Sequence, residues 1–178
     1  SLVIKFPPDS QSILITDIFR GGRQVLVYDI ESGKQIRKVP TKESFTAVDF
    51  AFSGNFLLIC GTDRGSTQIG QAVIYDYENN VPIKFTKGEN KGKDVVIKYG
   101  SPGTESYACC WTKNARYILV NTKNHGNHLF NVFVYNRLNG DRVLSYDYKY
   151  EIGLGGLALN SDETILAIGT RDYTMYLY

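Results

Sequence analysis

The stretch from Gly156 to Tyr178 constrains the fold of this chain more than any other feature, because everything before it repeats the same order of residue types. Leu157 to Leu159 is a short apolar run and Asn160-Ser-Asp-Glu163 is a turn. Thr164 to Thr170 is a second apolar run, Arg171-Asp172 turns again, and Tyr173 to Tyr178 alternates. Runs this short, bounded by Asn, Asp, Ser and Gly, form strands joined by tight turns, because those residues cap turns with their own side chains or tolerate left-handed backbone. No segment places apolar residues at helical spacing, so short antiparallel strands are predicted throughout and no helix beyond a turn or two.

Upstream copies follow the same order. Residues 1–40 hold strands at 2–6, 12–16, 24–29 and 35–39, with Pro7-Pro-Asp9 as the first turn. Residues 41–104 hold strands at 45–50, 56–61, 71–76 and 81–86. The lysine-rich stretch 87–94 then reads as a flexible insertion, and 95–99 as an edge strand. Residues 105–150 hold strands at 106–111, 117–120, 129–136 and 142–148, with a longer connection over 121–128. Residues 151–178 stop at a third strand. The aromatics that close each third strand, Tyr28, Tyr75, Tyr135 and Tyr178, lie 47, 60 and 43 residues apart, and the long interval contains both the insertion and the long connection. Asp29, Asp76 and Asn136 follow the first three. Packing is the simplest cause of an aromatic at a recurring position, so all four are expected to be equivalent and largely buried.

This order, a strand, a Ser-Pro-Asp-Gly-like turn, a second strand, an Asp-containing turn and a strand ending in an aromatic-Asp pair, resembles the WD40 repeat, whose period is about 40 to 45 residues. Each such repeat forms one blade of a β-propeller. The resemblance covers nearly the whole chain. It implies an all-β fold, a β-propeller fragment of about four blades of antiparallel four-stranded sheets, forming a single segment over 1–178. The chain departs from the family in carrying Tyr for Trp in all four copies. It also lacks the Gly-His pair before the opening strand: its histidines, His125 and His128, lie in an inner connection of the third copy. Asp63 and Asp172 match the family's turn aspartate without that partner, which marks a divergent member. The last copy lacks its outer strand, and rings of this family close when one terminus completes the other's blade. The ring is therefore expected to stay open within this chain, with the remaining blades in further sequence or a partner chain.

Composition narrows function chiefly by exclusion. With 43% hydrophobic and 21% charged residues the chain is globular rather than disordered. No apolar run nears the ~18 residues of a membrane span, and Ser1-Leu-Val-Ile-Lys-Phe6 lacks the features of a secretory signal. A net charge of +2 is too small for a dedicated nucleic-acid binder. Cys60, Cys109 and Cys110 are odd in number, lack zinc-like spacing and read as reduced core thiols. No Asn-x-Ser/Thr acceptor occurs, which favours an intracellular location, cytoplasmic or nuclear.

Catalytic signals are weak. Gly153-Leu-Gly-Gly156 precedes a strand rather than opening a helix, so it cannot cradle a dinucleotide. Gly61-Thr-Asp-Arg-Gly-Ser66 lacks the Lys-Ser/Thr ending of a phosphate loop, and no Gly-x-Ser-x-Gly elbow occurs. His125 and His128 have no converging acids or thiolates, and read as a solvated loop. Phe19-Arg-Gly-Gly22 resembles the Phe-Arg-Arg-Gly motif of phosphoinositide-binding propellers but lacks its second arginine and occupies a different turn. Lys87, Lys91, Lys93 and Lys98 have no interleaved aromatics for stacking bases. No enzyme, cofactor or metal is expected; a lipid- or nucleic-acid-binding propeller, or a propeller-fold hydrolase, is the alternative. In a propeller the second-to-third-strand turns share one end. Phe19, Arg20, Arg23, Arg64, Lys123, His125 and Arg171 are therefore expected on one rim, where arginine forks would recognise an acidic protein surface by bidentate pairing.

Overall fold

The computed structural model describes residues 2–17, 24–41, 44–62, 69–126, 130–148, 152–170 and 173–178. They form four antiparallel sheets in chain order, each an up-and-down meander. The first contains β1 (Leu2–Lys5), β2 (Ser12–Asp17), β3 (Gln24–Asp29) and β4 (Gln35–Pro40). The second contains β5 (Ser44–Phe50), β6 (Phe56–Thr62) and β7 (Gly70–Asp76). Its outer position is shared by two short strands, β8 (Val81–Pro82) and β9 (Val96–Tyr99), which both pair with β7. The third contains β10 (Thr104–Trp111), β11 (Tyr117–Asn124), β12 (Phe130–Asn136) and β13 (Arg142–Tyr148); the fourth contains β14 (Ile152–Leu159), β15 (Leu166–Thr170) and β16 (Met175–Leu177). Among the described residues there is no helix.

The repeat lies in the turns as much as in the strands. Each first turn closes with one hydrogen bond from its fourth residue to its first: Ser10 N–H to Pro7 O at 3.0 Å, Gly54 to Ala51 at 2.8 Å, Ala115 to Thr112 at 2.8 Å and Glu163 to Asn160 at 3.1 Å. The donor is left-handed in all four, with φ of 54°, 76°, 53° and 63°. Only Gly54 adopts that conformation without the roughly 1–2 kcal/mol penalty a Cβ brings. Side chains help to fix three of these turns: Asp9 Oδ1 accepts Gln11 N–H, Asn114 Oδ1 accepts Arg116 N–H and Asp162 Oδ1 accepts Thr164 N–H. The turns after β3, β7 and β12 follow a second common plan. Gly33, Asn80 and Gly140, all left-handed, donate to Asp29 O, Asp76 O and Asn136 O. The side-chain Oδ1 of those same three residues accepts from Ser32, Asn79 and Leu138 N–H at 2.7, 2.9 and 3.0 Å. An acid or amide follows each closing tyrosine because it caps this turn.

Three apolar cores stack the sheets in chain order. Leu14, Val25, Val27 and Val39 meet Val48, Leu57, Ile59, Val73 and Tyr75 between the first and second sheets. Leu58, Cys60, Ile74, Phe85 and Tyr99 meet Cys109, Trp111, Ile118, Phe133 and Tyr135 between the second and third. Ala108, Cys110, Leu119, Val132 and Val134 meet Leu157, Leu166 and Ile168 between the third and fourth. Among the described residues no core joins the fourth sheet to the first, so the four sheets form an open arc. The three cysteines are buried and carry no disulfide.

Two expectations need correction. The 87–94 stretch is not a loose insertion: Phe85 N–H bonds Lys93 O at 3.0 Å and Gly92 N–H bonds Phe85 O at 2.9 Å, closing a hairpin between β8 and β9. Its first arm docks on the turn between β12 and β13, where Thr86 and Lys87 N–H both donate to Leu138 O, and Phe85 is buried against Gly140, whose added Cβ would stand 2.9 Å from the ring. A polar exterior concealed the two buried anchors, Phe85 and Val95. The closing tyrosines do hold equivalent register, opposite Ile13, Leu57, Ile118 and Leu166. Yet only Tyr75 and Tyr135 are buried; Tyr28 is partly exposed and Tyr178 is 54% exposed, because each of the latter two belongs to an end sheet.

Candidate interaction surfaces

The expected arginine rim falls mostly outside the described residues: Phe19, Arg20, Arg23, Arg64 and Arg171 are there, as are Asp63, Asp172 and His128. Lys123 and His125 are described, and both engage their own sheet. The Lys123 ammonium lies 5.4 Å from the Phe130 ring centre. His125 Nε2 is 3.0 Å from Glu105 Oε2, which also accepts the Tyr107 hydroxyl at 3.1 Å. Both side chains of the His125–Glu105 pair are about half exposed, so it adds little to stability.

A pocket of about 310 Å³ lies at the opposite end, among the first turns of the second, third and fourth sheets, and is lined by Asp49, Phe50, Phe52, Trp111, Lys113, Leu159 and Glu163. Its floor ties three sheets together. Asp49 Oδ1 takes the Lys5 ammonium at 3.1 Å and Oδ2 accepts Trp111 N–H at 3.3 Å, while Trp111 Nε1–H donates to Asp49 O at 3.3 Å. Lys5, Asp49, Cys110 and Ala158 occupy the same register position on the four inner strands, opposite Leu14, Leu58, Leu119 and Ala167. Burial pushes the Asp49 carboxyl above its ordinary range despite Lys5. For Lys5, burial acts to lower the ammonium, but Asp49's charge and hydrogen bond outweigh it and hold it up. Burial likewise pushes the Cys110 thiol up to about 12, so it carries no thiolate at neutral pH. Among the described residues that line it, the pocket has an acid committed to a structural ion pair and a projecting aromatic, Phe52, 72% exposed. Among the described residues no group of three or more metal-ligating side chains converges. Sequence reasoning passed over Asp49, although it is the one acid in its strand, and the structure sets it against the chain's single tryptophan.

Larger surfaces lie at the two ends of the arc. The first sheet turns Ile4, Ile13, Ile15, Leu26 and Tyr28 away from the second, with Ile4 and the following Phe6 well exposed. The fourth sheet turns Ala158, Ala167, Met175 and Leu177 away from the third. Both end faces thus carry exposed apolar side chains, Ile4 on one and Met175 and Leu177 on the other.

Four meander sheets stacked in an arc, with the same turn chemistry and the same closing aromatic in each, define a divergent WD40-like β-propeller whose fourth blade lacks its outer strand. No protein-family model matches the chain. It is similar to eukaryotic translation initiation factor 3 subunit I of Drosophila simulans, 21% identical over 158 residues, covering 89% of this chain and 45% of that protein. The protein of the same name in Drosophila pseudoobscura pseudoobscura is 24% identical over 160 residues, with the same coverage. The chain thus spans about half the length of the curated relatives it matches. Among solved structures, Kuenenia stuttgartiensis hydrazine synthase superposes with a TM-score of 0.71 at 15% identity, over 98% of this chain and 51% of that one. The β-propeller domain of Myceliophteria thermophila Cps50 (Swd1) gives 0.56 at 12% identity, over 99% and 64%. At these identities the structural likeness speaks for the fold alone.

Proposed function

We propose that this chain is a non-catalytic protein-interaction scaffold: a single WD40-like segment, of four repeats over 1–40, 41–104, 105–150 and 151–178, within a larger intracellular, cytoplasmic assembly. The carrying observation is the similarity over 89% of the chain to a subunit of a translation initiation factor, joined to an arc whose end faces are apolar and uncovered. A propeller holds its loops and edges on a rigid frame, which suits presentation to partners better than chemistry. Further blades, from more sequence or a partner chain, cover the two end sheets in this reading. Crosslinking mass spectrometry on material from the native source tests it. The expected result is crosslinks from both end sheets to other propeller sequence and to subunits of one multiprotein complex; a protein recovered alone and uncrosslinked would overturn it.

The rim bearing Phe19, Arg20, Arg23, Arg64, Lys123, His125 and Arg171 belongs to this proposal as the site for an acidic protein surface. Support comes from residue type and repeat position, since guanidinium forks pair with carboxylates. Simultaneous charge reversal at Arg20, Arg64 and Arg171 is expected to weaken partner capture without lowering the melting temperature. Wild-type capture by that triple variant removes the rim from the proposal.

A further inference from the structure

The turn between β12 and β13 holds the chain's only Asn-Gly step, Asn139-Gly140. In such a step the glycine nitrogen can attack the preceding side-chain amide, because glycine has no Cβ to obstruct the cyclic imide that forms. The Gly140 nitrogen bonds Asn139 Cγ, and ammonia leaves with the proton of the Gly140 N–H. Water then opens the imide. Cleavage at Cγ restores the ordinary backbone with aspartate at 139, whereas cleavage at the main-chain carbonyl leaves isoaspartate, whose backbone runs through Cβ and Cγ. Either product consumes one water and releases one ammonia.

The folded turn engages both reacting groups elsewhere. Gly140 N–H donates to Asn136 O at 2.8 Å. The Asn139 side chain is turned to Asp141, whose N–H its Oδ1 accepts at 3.1 Å and whose carboxylate accepts its Nδ2–H. A second element covers the step from outside. Thr86 and Lys87 N–H hold Leu138 O, the Phe85 ring would meet a Cβ on Gly140 at 2.9 Å, and a Cβ on Gly88 would meet that of Asn139 at 3.1 Å. The hairpin between β8 and β9 thus grips residues 138–140 in turn. It does so from the outer edge of its sheet, where β8 spans only two residues, and an edge element opens locally more easily than the strands behind it.

We propose that Asn139 is a deamidation site gated by this hairpin: slow to react while Phe85 and Gly88 are seated on the turn, fast when the hairpin lifts, and converted to a product that keeps it lifted. The product unseats the hairpin in either form. Aspartate at 139 loses the Nδ2–H that now bonds Asp141 and sets two like charges side by side. Isoaspartate lengthens the backbone between Asn136 O and Gly140 N–H, so the bond that closes the turn cannot re-form and Gly140 leaves its place under Phe85. Opening and modification therefore reinforce each other in one direction, whatever the propeller binds.

The test incubates the whole chain in mildly alkaline buffer beside the free peptide Asn-Arg-Leu-Asn-Gly-Asp-Arg, which copies the turn without its cover. Peptide mass spectrometry follows replacement of the Asn139 amide by a carboxyl, and chromatographic retention separates aspartate from isoaspartate. Conversion in the folded chain is expected to be at least about tenfold slower than in the peptide, since it waits on local opening. Gly88→Ala, which crowds Asn139 and strains a φ of 73°, should move the rate toward that of the peptide, and Phe85→Ala should move it further. Should Phe85→Ala fail to fold, Gly88→Ala carries the comparison. Aged wild-type chain carrying isoaspartate at 139 should also be cut faster within 87–94 by a protease than fresh chain. A wild-type rate equal to that of the peptide, wild-type rates in the folded variants, or equal cleavage of aged and fresh chain would overturn the gated site.

Discussion

The two faces of the third sheet differ in how far from the axis they are covered. Toward the second sheet, burial extends from Trp111 near the axis out to Phe133 and Tyr135, and the hairpin between β8 and β9 carries it to the rim by seating Phe85 on Gly140. Toward the fourth sheet, Leu119, Val132 and Val134 are buried but Leu144 and Tyr146, one strand further out, are not. A propeller blade is therefore only as well covered as the outermost element of its neighbour.

The largest effect that sharpens this contrast is expected at Trp111, which packs across the covered face and bonds Asp49 through both backbone and indole N–H. Trp111→Ala should cost about 3–5 kcal/mol. Tyr146→Ala on the uncovered face should cost below about 1 kcal/mol, since a half-exposed ring buries little surface. Urea midpoints of the two variants measure both, and equal losses would contradict the difference between the faces. Gly140→Ala comes next. It must adopt a φ of 81° and also displaces Phe85, so a loss of about 1–3 kcal/mol is expected. Limited proteolysis within 87–94 should then speed up, and unchanged cleavage would show that the hairpin is not held by this contact. A smaller gain, of about 1 kcal/mol, is expected for Asn121→Val. The amide of Asn121 is buried between the third and fourth sheets with no hydrogen-bond partner among the described residues, and Thr16, Cys60 and Gly169 stand at the equivalent positions. A lower melting temperature for that variant would show that the amide has an unseen role.

The smallest effect is a pH dependence set by the turns. Side-chain and backbone hydrogen bonds from Ser32 to Asp29, backbone and side-chain bonds from Asn79 to Asp76, and side-chain and backbone bonds from Thr164 to Asp162 hold these carboxyls below their ordinary value of 3.8. A carboxyl depressed in the folded state stabilises it at pH above 3.8, and that contribution is lost as the pH falls through the folded-state value. Replacing all three by Asn keeps the accepting oxygen, as Asn136 already does in the third sheet, and should flatten the fall in melting temperature below pH 4 while changing little at pH 7. An unaltered acid limb would place the acid sensitivity elsewhere.

Much of this architecture was legible in the sequence, because turn chemistry and the closing aromatic are local. Tyr28, Tyr75, Tyr135 and Tyr178 set the register, and Asp29, Asp76 and Asn136 announced the turns they cap. What escaped depends on contacts distant in sequence. Phe85 and Val95 flank a lysine-rich run whose composition describes only its solvent side, and the glycine that Phe85 packs on, Gly140, lies in another repeat. The Asp49 tie needs Lys5 and Trp111, drawn from three sheets. The exposure of Tyr28 and Tyr178 follows from what is absent beside them, which no repeat-level pattern encodes.

Amide hydrogen exchange across the whole chain, followed peptide by peptide, tests the open arc most directly. Protection is expected to be greatest in β6, β7, β11 and β12, lower in β1 and β2, and lowest in β16, because local opening is easiest where a face or an edge is uncovered. Uniform protection across all four sheets would contradict the account, since it would require the outer faces of the first and fourth sheets to be covered.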